Sequence, residues 1–143
     1  MKCCNAVAFI KGGKDAPNLT GKVKFYQKQT CVLIVADICG LPTSSSGFFG
    51  FHIHQGGNCS GQDFSATGSH YDPFGSPHPR HAGDLPPLLS CNGYAHLSVT
   101  TDRFCVCDVI GRTIVIHSDP DDFRSQSAGN AGSKIACGVI QST

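Results

Sequence analysis

Short segments of the chain alternate hydrophobic with polar residues, which is the pattern of a strand with one buried face. In the segment 22–28, Lys22 and Lys24 fall on one face, and Val23 and Phe25 fall on the other. Comparable patterns predict eight strands, at about residues 4–11, 22–28, 31–38, 48–54, 94–100, 103–107, 112–117 and 135–140. We therefore predict an all-β fold, an eight-stranded Greek-key β-sandwich or flattened barrel.

Two segments interrupt the strand pattern and predict long functional loops. Residues 55–92 and 118–134 are rich in Gly, Ser, Pro and Asp, and both exceed the usual length of a strand connection. The rest of the composition fits a single domain over residues 1–143, since one Met, 17 Gly, 8 Pro and the absence of Glu disfavour long helices.

Charge and hydropathy exclude two classes of partner. The net charge of +1 is too small to attract polyanions, and no run of basic residues occurs, so nucleic acid is not expected. The apolar runs are far shorter than the roughly 18 residues that a transmembrane helix requires, so no membrane is expected either. No signal-peptide pattern is visible, and we expect a cytoplasmic location, or a periplasmic or extracellular one if a leader was removed.

Histidines are concentrated in one part of the chain. Five of the seven lie between His52 and His81, and His117 ends the apolar segment 112–116. His52 and His54 are two residues apart on a predicted strand, so their imidazoles leave the same face and can reach one ion. Four imidazoles suit Cu(II), whereas three imidazoles and one carboxylate suit Zn(II).

These residues form two candidate metal sets that share one histidine. The copper set is His52, His54, His70 and His117, and the zinc set is His70, His78, His81 and Asp84. An imidazole shared by two ions must lose both ring protons, which two nearby cations make favourable at neutral pH. His96, the seventh histidine, belongs to neither set, and we expect its side chain to be satisfied by other contacts or solvated, not to bind a metal.

Five segments resemble the copper/zinc superoxide dismutase family. They are residues 50–54 (GFHIH), 68–73 (GSHYDP), 81–86 (HAGDLP), 110–117 (IGRTIVIH) and 129–140 (GNAGSKIACGVI). The resemblance spans almost the whole chain, and residues 83–88 are more similar to the bacterial branch than to the eukaryotic cytosolic one. It implies a β-sandwich enzyme that converts superoxide to dioxygen and hydrogen peroxide by cycling between Cu(II) and Cu(I).

The resemblance also implies roles for individual residues. His70 would bridge copper and zinc and deliver a proton to the nascent peroxide. Lys134 stands where the family usually has an arginine beside copper; it keeps the positive charge that attracts superoxide but lacks the planar fork of arginine. Asp121 matches a family carboxylate that orients metal ligands, here His52 and His78.

The cysteines point to both an oxidised and a reduced environment. The resemblance implies a disulfide between Cys59 and Cys137 and no role for the seven others, Cys3, Cys4, Cys31, Cys39, Cys91, Cys105 and Cys107. Most of these seven lie in strand-like segments, where we expect them to pack as small apolar residues. Nine cysteines cannot all pair within one chain, and so many thiols favour a reducing compartment, against which the disulfide argues.

Both loops are short where eukaryotic family members carry insertions that guide the substrate. Only two residues separate His78 from His81, and only residues 123–128 separate Asp122 from Gly129. We therefore expect weak electrostatic steering and a rate that depends little on ionic strength.

The sequence alone leaves a second class of function open. A non-catalytic copper/zinc-binding buffer or metal-delivery module is favoured by the excess of cysteines and disfavoured by the complete copper set. A zinc-only interaction domain would leave His52, His54 and His117 without a purpose. The sequence also leaves monomer against homodimer undecided, together with the need for a copper-donating partner.

Overall fold

Strands dominate the computed structural model, which describes residues 4–143 and therefore does not include Cys3. Within that range the strands are β1 (Asn5–Gly12), β2 (Thr20–Gln27), β3 (Val32–Cys39), β4 (Phe48–Phe49), β5 (Phe51–His54), β6 (Leu88–Leu89), β7 (Ala95–Thr101), β8 (Thr113–His117) and β9 (Lys134–Ser142). Two short helices accompany them, a 3₁₀ helix at Gln62–Thr67 and the four-residue α1 at Val106–Val109. None of the helices in this range has the length and hydrophobicity that crossing a membrane requires.

One curled antiparallel sheet contains seven of the strands, in the order β5-β8-β9-β1-β2-β3-β7, and β4 pairs with β6. Because β1 pairs with β9 and β3 with β7, distant parts of the chain are neighbours, as in Greek-key connections. The alternation predicted for β2 is present, since Val23 and Phe25 are fully buried in the core while Lys22 and Lys24 are exposed. The predicted all-β fold is confirmed.

One of the eight predicted strands is wrong. Residues 103–107 form no strand but lead into α1, where Val106 and Val109 are buried at helical spacing. The carboxylate of Asp108 accepts a hydrogen bond of 2.9 Å from the backbone N–H of Cys105 and so caps this helix. The alternation of apolar residues in this segment suits a strand equally well, and the cap stabilises the helical turn that is observed.

A second difference concerns the predicted strand at 48–54, which Gly50 divides into β4 and β5. The backbone of Gly50 leaves the sheet to donate to Asp119 O at 2.9 Å and to accept from His117 N–H at 2.8 Å. A Cβ at this position would lie 2.9 Å from the Cβ of Ala131, so the close approach requires glycine. The division brings the loop 118–134 against the start of β5.

Strand β5 is an edge strand that is buried on both faces. Phe51 and Ile53 belong to the hydrophobic core, while His52 and His54 alternate with them on the opposite face. All four side chains are nevertheless buried. The first long loop therefore covers the face that carries the histidines.

The first long loop docks on the open edge of β5. Isolated bridges join His54 to His70 and His52 to Asp84. Between them, Tyr71 N–H donates to Ile53 O at 2.8 Å, and Ile53 N–H donates to Gly83 O at 2.9 Å. A Cβ at Gly83 would lie 2.3 Å from Ile53 O, so glycine permits this contact. The loop thus covers the strand edge and places His70 and Asp84 beside the histidines of β5.

The expected disulfide is present and ties the same loop to β9. Cys59 and Cys137 are joined with a Cα–Cα distance of 5.8 Å across a sequence separation of 78 residues. Four other cysteines are exposed, Cys39, Cys91, Cys105 and Cys107, so the prediction that cysteines in strand-like segments pack as apolar residues is wrong for Cys105 and Cys107. The four lie on turns, strand ends and the start of α1, where the core does not reach. Cys31 and Cys4 are partly buried, and Cys4 packs against the core.

Candidate metal centre

The structure gathers both predicted metal sets between the sheet and the first loop. One group of donor atoms, all within 4.8 Å of one another, comes from His52, His54, His70 and His117. A second group of the same size comes from His70, His78, His81 and Asp84. All six histidines are buried, and His70 belongs to both groups.

Strand geometry positions most of the first group. His52 and His54 lie on β5, which pairs with β8, the strand that ends at His117. A register shift between Ile116 and His117 breaks the regular ladder there, and such irregularities redirect a side chain. As a result, Nε2 of His117 lies 3.1 Å from Nε2 of His54.

Hydrogen bonds decide which ring nitrogens of the first group carry lone pairs. His54 Nδ1 lies 2.7 Å from Gly68 O, which can only accept, so the proton is on Nδ1 and the lone pair is on Nε2. His52 Nε2 lies 2.8 Å from Oδ2 of Asp121, which leaves the lone pair on Nδ1. Within the described residues that buried Nδ1 has no hydrogen-bond partner. Both lone pairs are therefore available to an ion.

The second group converges on Asp84. The carboxylate lies 2.8 Å from Nδ1 of His70, 3.1 Å from Nδ1 of His78 and 3.2 Å from Nδ1 of His81. Nδ1 of His70 and Nδ1 of His81 are 3.4 Å apart. A tetrahedral zinc with ligands at about 2.0–2.1 Å requires ligand–ligand distances of about 3.3–3.4 Å. The four donors therefore have nearly the spacing that such an ion needs.

His70 faces the two groups with different ring nitrogens. Its Nδ1 takes part in the cluster around Asp84, while its Nε2 is buried and has no hydrogen-bond partner within residues 4–143. The His70 ring centre lies 4.0 Å from that of His52 and 4.9 Å from that of His54. One imidazole thus spans the space between the two groups.

Asp121 connects the groups from the second loop. Its Oδ2 accepts from His52 Nε2 at 2.8 Å, and its Oδ1 accepts from His78 Nε2 at 2.7 Å. Burial raises the pKa of Asp121, but the hydrogen bonds from both rings and from the N–H of Phe123 outweigh it, and the pKa lies below its usual value. The carboxylate is therefore charged and fixes the tautomers of one histidine from each group.

Burial keeps His52, His54 and His117 neutral, because it lowers the pKa of each of these imidazoles. It lowers the pKa of His54 to about 2, with help from neighbouring His117, and lowers the pKa of His117 to about 3, with help from His52. Burial raises the pKa of Asp84, but the hydrogen bond from His70 and the nearby histidines hold that pKa below its usual value. Neutral imidazoles and an ionised carboxylate are the protonation states that metal binding requires.

A cavity of about 370 Å³ opens beside the first group, and Lys134 lies at its wall. In the sheet, Lys134 is the register partner of His117. Its Nζ donates to Thr67 Oγ1 at 2.7 Å and to Gly68 O at 2.9 Å, the carbonyl that also accepts from His54. Partial burial lowers the pKa of Lys134 from its usual value. No pattern in the sequence singles out Thr67, and Gly68 stands out only as part of the segment 68–73 that resembles the family.

His96 lies away from both groups. Its side chain is exposed on β7, and its Nδ1 lies 2.8 Å from Asp37 Oδ1, an exposed pair on the outer face of the sheet. As expected, this histidine is solvated and satisfied by another contact, and it belongs to neither metal set.

Comparisons with known proteins agree on one family. The family model described as copper/zinc superoxide dismutase matches residues 19–140. Superoxide dismutase [Cu-Zn] 2 of Aquifex aeolicus is 34% identical over 85% of this chain and 78% of its own length. Superoxide dismutase [Cu-Zn] 3 of Arabidopsis thaliana is 36% identical over 94% of this chain and 88% of its own length. The superoxide dismutase [Cu-Zn] of Deinococcus radiodurans is 35% identical over 86% of this chain and 78% of its own length. The chain belongs to the copper/zinc superoxide dismutase family.

Proposed function

We propose that this chain is a superoxide dismutase that uses copper and zinc. The reaction converts two superoxide ions and two protons into one dioxygen and one hydrogen peroxide. Copper would be held by His52, His54, His70 and His117, and zinc by His70, His78, His81 and Asp84. The observation that carries the proposal is that one buried imidazole, His70, contributes to both sets of four donors.

The residues present fit the two metals. Four buried ring nitrogens lack hydrogen-bond partners within residues 4–143, namely Nε2 of His70 and Nδ1 of His52, His78 and His117. Leaving such atoms unpaired is costly unless a ligand takes them. When bound, copper supplies one-electron redox chemistry, and zinc supplies a fixed positive charge that holds the shared imidazole.

The chain's own groups then have distinct tasks. Lys134 provides a positive charge at the cavity wall, where it attracts the superoxide anion. His70 Nε2 can carry a proton and give it to the reduced substrate, while the contact of Nδ1 with Asp84 keeps the ring in place. Solvent reaching the cavity supplies the second proton. Asp121 keeps the lone pair of His52 directed at the copper set.

The alternative, a metal buffer or delivery module, is not favoured. A buffer needs no imidazole shared between two ions and no cation beside the ligands. The shared His70 and the placement of Lys134 at the cavity both serve the reaction of a small anion. The exposed thiols, which favoured the buffer, belong to neither metal set.

The decisive experiment reconstitutes the protein with copper and zinc, counts the metals per chain and measures superoxide removal. We expect one copper and one zinc with rapid turnover. His117→Ala should retain zinc and lose at least about 100-fold in rate, because it removes a copper ligand. His96→Ala is the matched control and should leave the rate unchanged. One copper and one zinc without turnover would favour the buffer instead.

The finer predictions about partners and compartment form part of the proposal. Phe9 is 60% exposed and shares a shallow groove with Val7 and Tyr26, so a homodimer would pack on this outer face. Sedimentation equilibrium of the native chain beside Phe9→Lys tests the homodimer. A copper-donating partner and a cytoplasmic location stay predictions, which copper transfer assays and cell fractionation would check.

A further inference from the structure

The zinc set depends on a segment that has no regular secondary structure. His78 and His81 are separated only by Pro79 and Arg80, and all four lie outside the strands and helices. A zinc ligand is preorganised only when its main chain is fixed as well as its ring. The contacts that fix this main chain therefore bear on metal binding.

Gln126, from the second loop, pairs with the main chain of His78 on both sides. Its Oε1 accepts from the N–H of His78 at 2.9 Å, and its Nε2 donates to the C=O of His78 at 2.9 Å. The side-chain amide thus makes the two hydrogen bonds that a neighbouring strand residue would make. With Asp121 on the ring, His78 is held at three points, and only Nδ1 stays available for an ion.

Arg103, from the segment that follows β7, binds the next part of the same main chain. Its Nη1 donates to Pro79 O at 2.9 Å and to His81 O at 3.0 Å. The guanidinium therefore spans the residue between the two carbonyls and fixes the spacing of the segment. Gln126 and Arg103 come from different loops, so the segment is held from two directions.

We propose that Gln126 and Arg103 are positioning residues of the zinc set. They hold the main chain of 78–81 so that Nδ1 of His78 and Nδ1 of His81 both point at Asp84 before zinc arrives. This inference deepens the proposed function and rests on its assignment of zinc to these residues. Without the clamps, the segment must be ordered when the metal binds, which weakens binding.

The test measures the zinc affinity of the metal-free protein by competition with a chromophoric chelator. We expect Gln126→Ala and Arg103→Ala each to bind zinc about 10-fold more weakly, the lower end of the range for residues that support metal ligands. Gln126→Glu keeps the acceptor for His78 N–H and loses the donor for His78 O, so its loss should be intermediate. Copper affinity of the other set should change less than 2-fold, to about the precision of the titration.

Two matched controls separate the clamp from general effects. Arg80→Ala removes the same charge from the same segment, and Gln62→Ala removes the same side-chain type from the first loop. Both side chains are exposed, and neither makes a hydrogen bond or ion pair in the part of the chain that the structure describes. Both controls should bind zinc as the native protein does.

Cobalt(II) in place of zinc gives a second readout. Its visible absorption depends on the geometry of its ligands, so a displaced His78 should shift the bands of Gln126→Ala relative to both controls. A residue that only stabilises the loop would lower the unfolding temperature and leave zinc affinity and cobalt bands unchanged, which would overturn the inference. If the native protein itself binds no zinc, the proposed function fails as well. If Gln126→Ala does not fold, Gln126→Glu and Arg103→Ala decide the matter by the same measurements.

Discussion

The two metal sets are built in opposite ways. Three of the four copper candidates lie on the paired strands β5 and β8, whereas the zinc candidates all lie in one loop, from His70 to Asp84. Sheet register fixes the main chain of His52, His54 and His117. In the zinc set, His70 and Asp84 are bridged to β5, whereas the segment from His78 to His81 is held by the side chains of Gln126 and Arg103. The copper set therefore gains most of its preorganisation from the sheet, and the segment 78–81 of the zinc set gains it from added side-chain contacts.

Removing the disulfide should have the largest effect, because it releases the loop that carries the zinc set. Cys59→Ser combined with Cys137→Ser opens a link across 78 residues. We expect the free energy of unfolding to fall by about 4.5 kcal/mol on the chain-entropy estimate. Denaturant unfolding of the oxidised protein measures it.

The control for that experiment replaces two exposed thiols. Cys105→Ser with Cys107→Ser should change stability by less than about 1 kcal/mol, since each surface substitution is usually within ±0.5 kcal/mol. Equal stability losses in the two double variants would show that the loop needs no tether.

Asp121→Asn should weaken zinc binding more than copper binding, and so tests the difference between the two sets directly. The new amide presents N–H to one of two rings that also present N–H, so one hydrogen bond is lost. Zinc affinity should fall about 10- to 100-fold. Copper affinity should fall less, because the main chain of His52 is fixed in β5. Competition titrations with each metal measure both values, and equal losses would contradict the contrast between strand and loop.

Two glycines with nearly the same backbone conformation offer a finer test. Gly129 has φ +69° and Gly75 has φ +66°, so alanine at either should cost about 1 kcal/mol in backbone strain. A Cβ at 129 would also lie 2.0 Å from Asp121 Oδ1 and 2.5 Å from His78 Nε2, whereas a Cβ at 75 meets nothing within 4 Å.

Gly129→Ala should therefore lose about 1–3 kcal/mol more than Gly75→Ala and should bind zinc more weakly. Thermal unfolding and zinc titration of the two variants measure the difference. If the two variants have the same stability and the same zinc affinity, the packing of Gly129 on Asp121 contributes to neither property.

Lys134→Arg should have the smallest effect, a change of a few-fold in the rate of superoxide removal. The guanidinium presents two donors in one plane, so it should orient the anion better and alter the dependence on ionic strength. Lys14→Arg is the control, because Lys14 is exposed and pairs with the exposed Asp63. An unchanged rate and salt dependence for Lys134→Arg would leave the cation at this position without a steering role.

The fold was predictable where packing is local in sequence. Alternating faces predicted β2 and its neighbours because each strand buries every second residue. Leu88–Leu89 escaped prediction because two residues carry no period, and only pairing with the distant Phe48–Phe49 makes them a strand. The segment at Val106 was ambiguous for a similar reason, since its apolar spacing over a few residues suits a strand and a capped helical turn alike.

The site was predictable where chemistry is visible in residue type. The period of two placed His52 and His54 on one face without any knowledge of the fold. The contacts of Gln126 and Arg103 could not be predicted, because an amide or a guanidinium that binds a distant main chain leaves no pattern in the sequence. Such contacts depend on how two irregular loops meet.

Strand β9 begins at Lys134 and carries Cys137, and it lies between β1 and β8 in the sheet. The partly buried cation at the cavity therefore belongs to an inner strand of the sheet and not to the loops around it. For protein engineering, the second loop can therefore be changed separately from the position of the lysine. A longer, more charged insert in the second loop could retune substrate attraction without displacing the lysine, as long as the contacts of Phe123 with Asp121 and of Gln126 with His78 are kept.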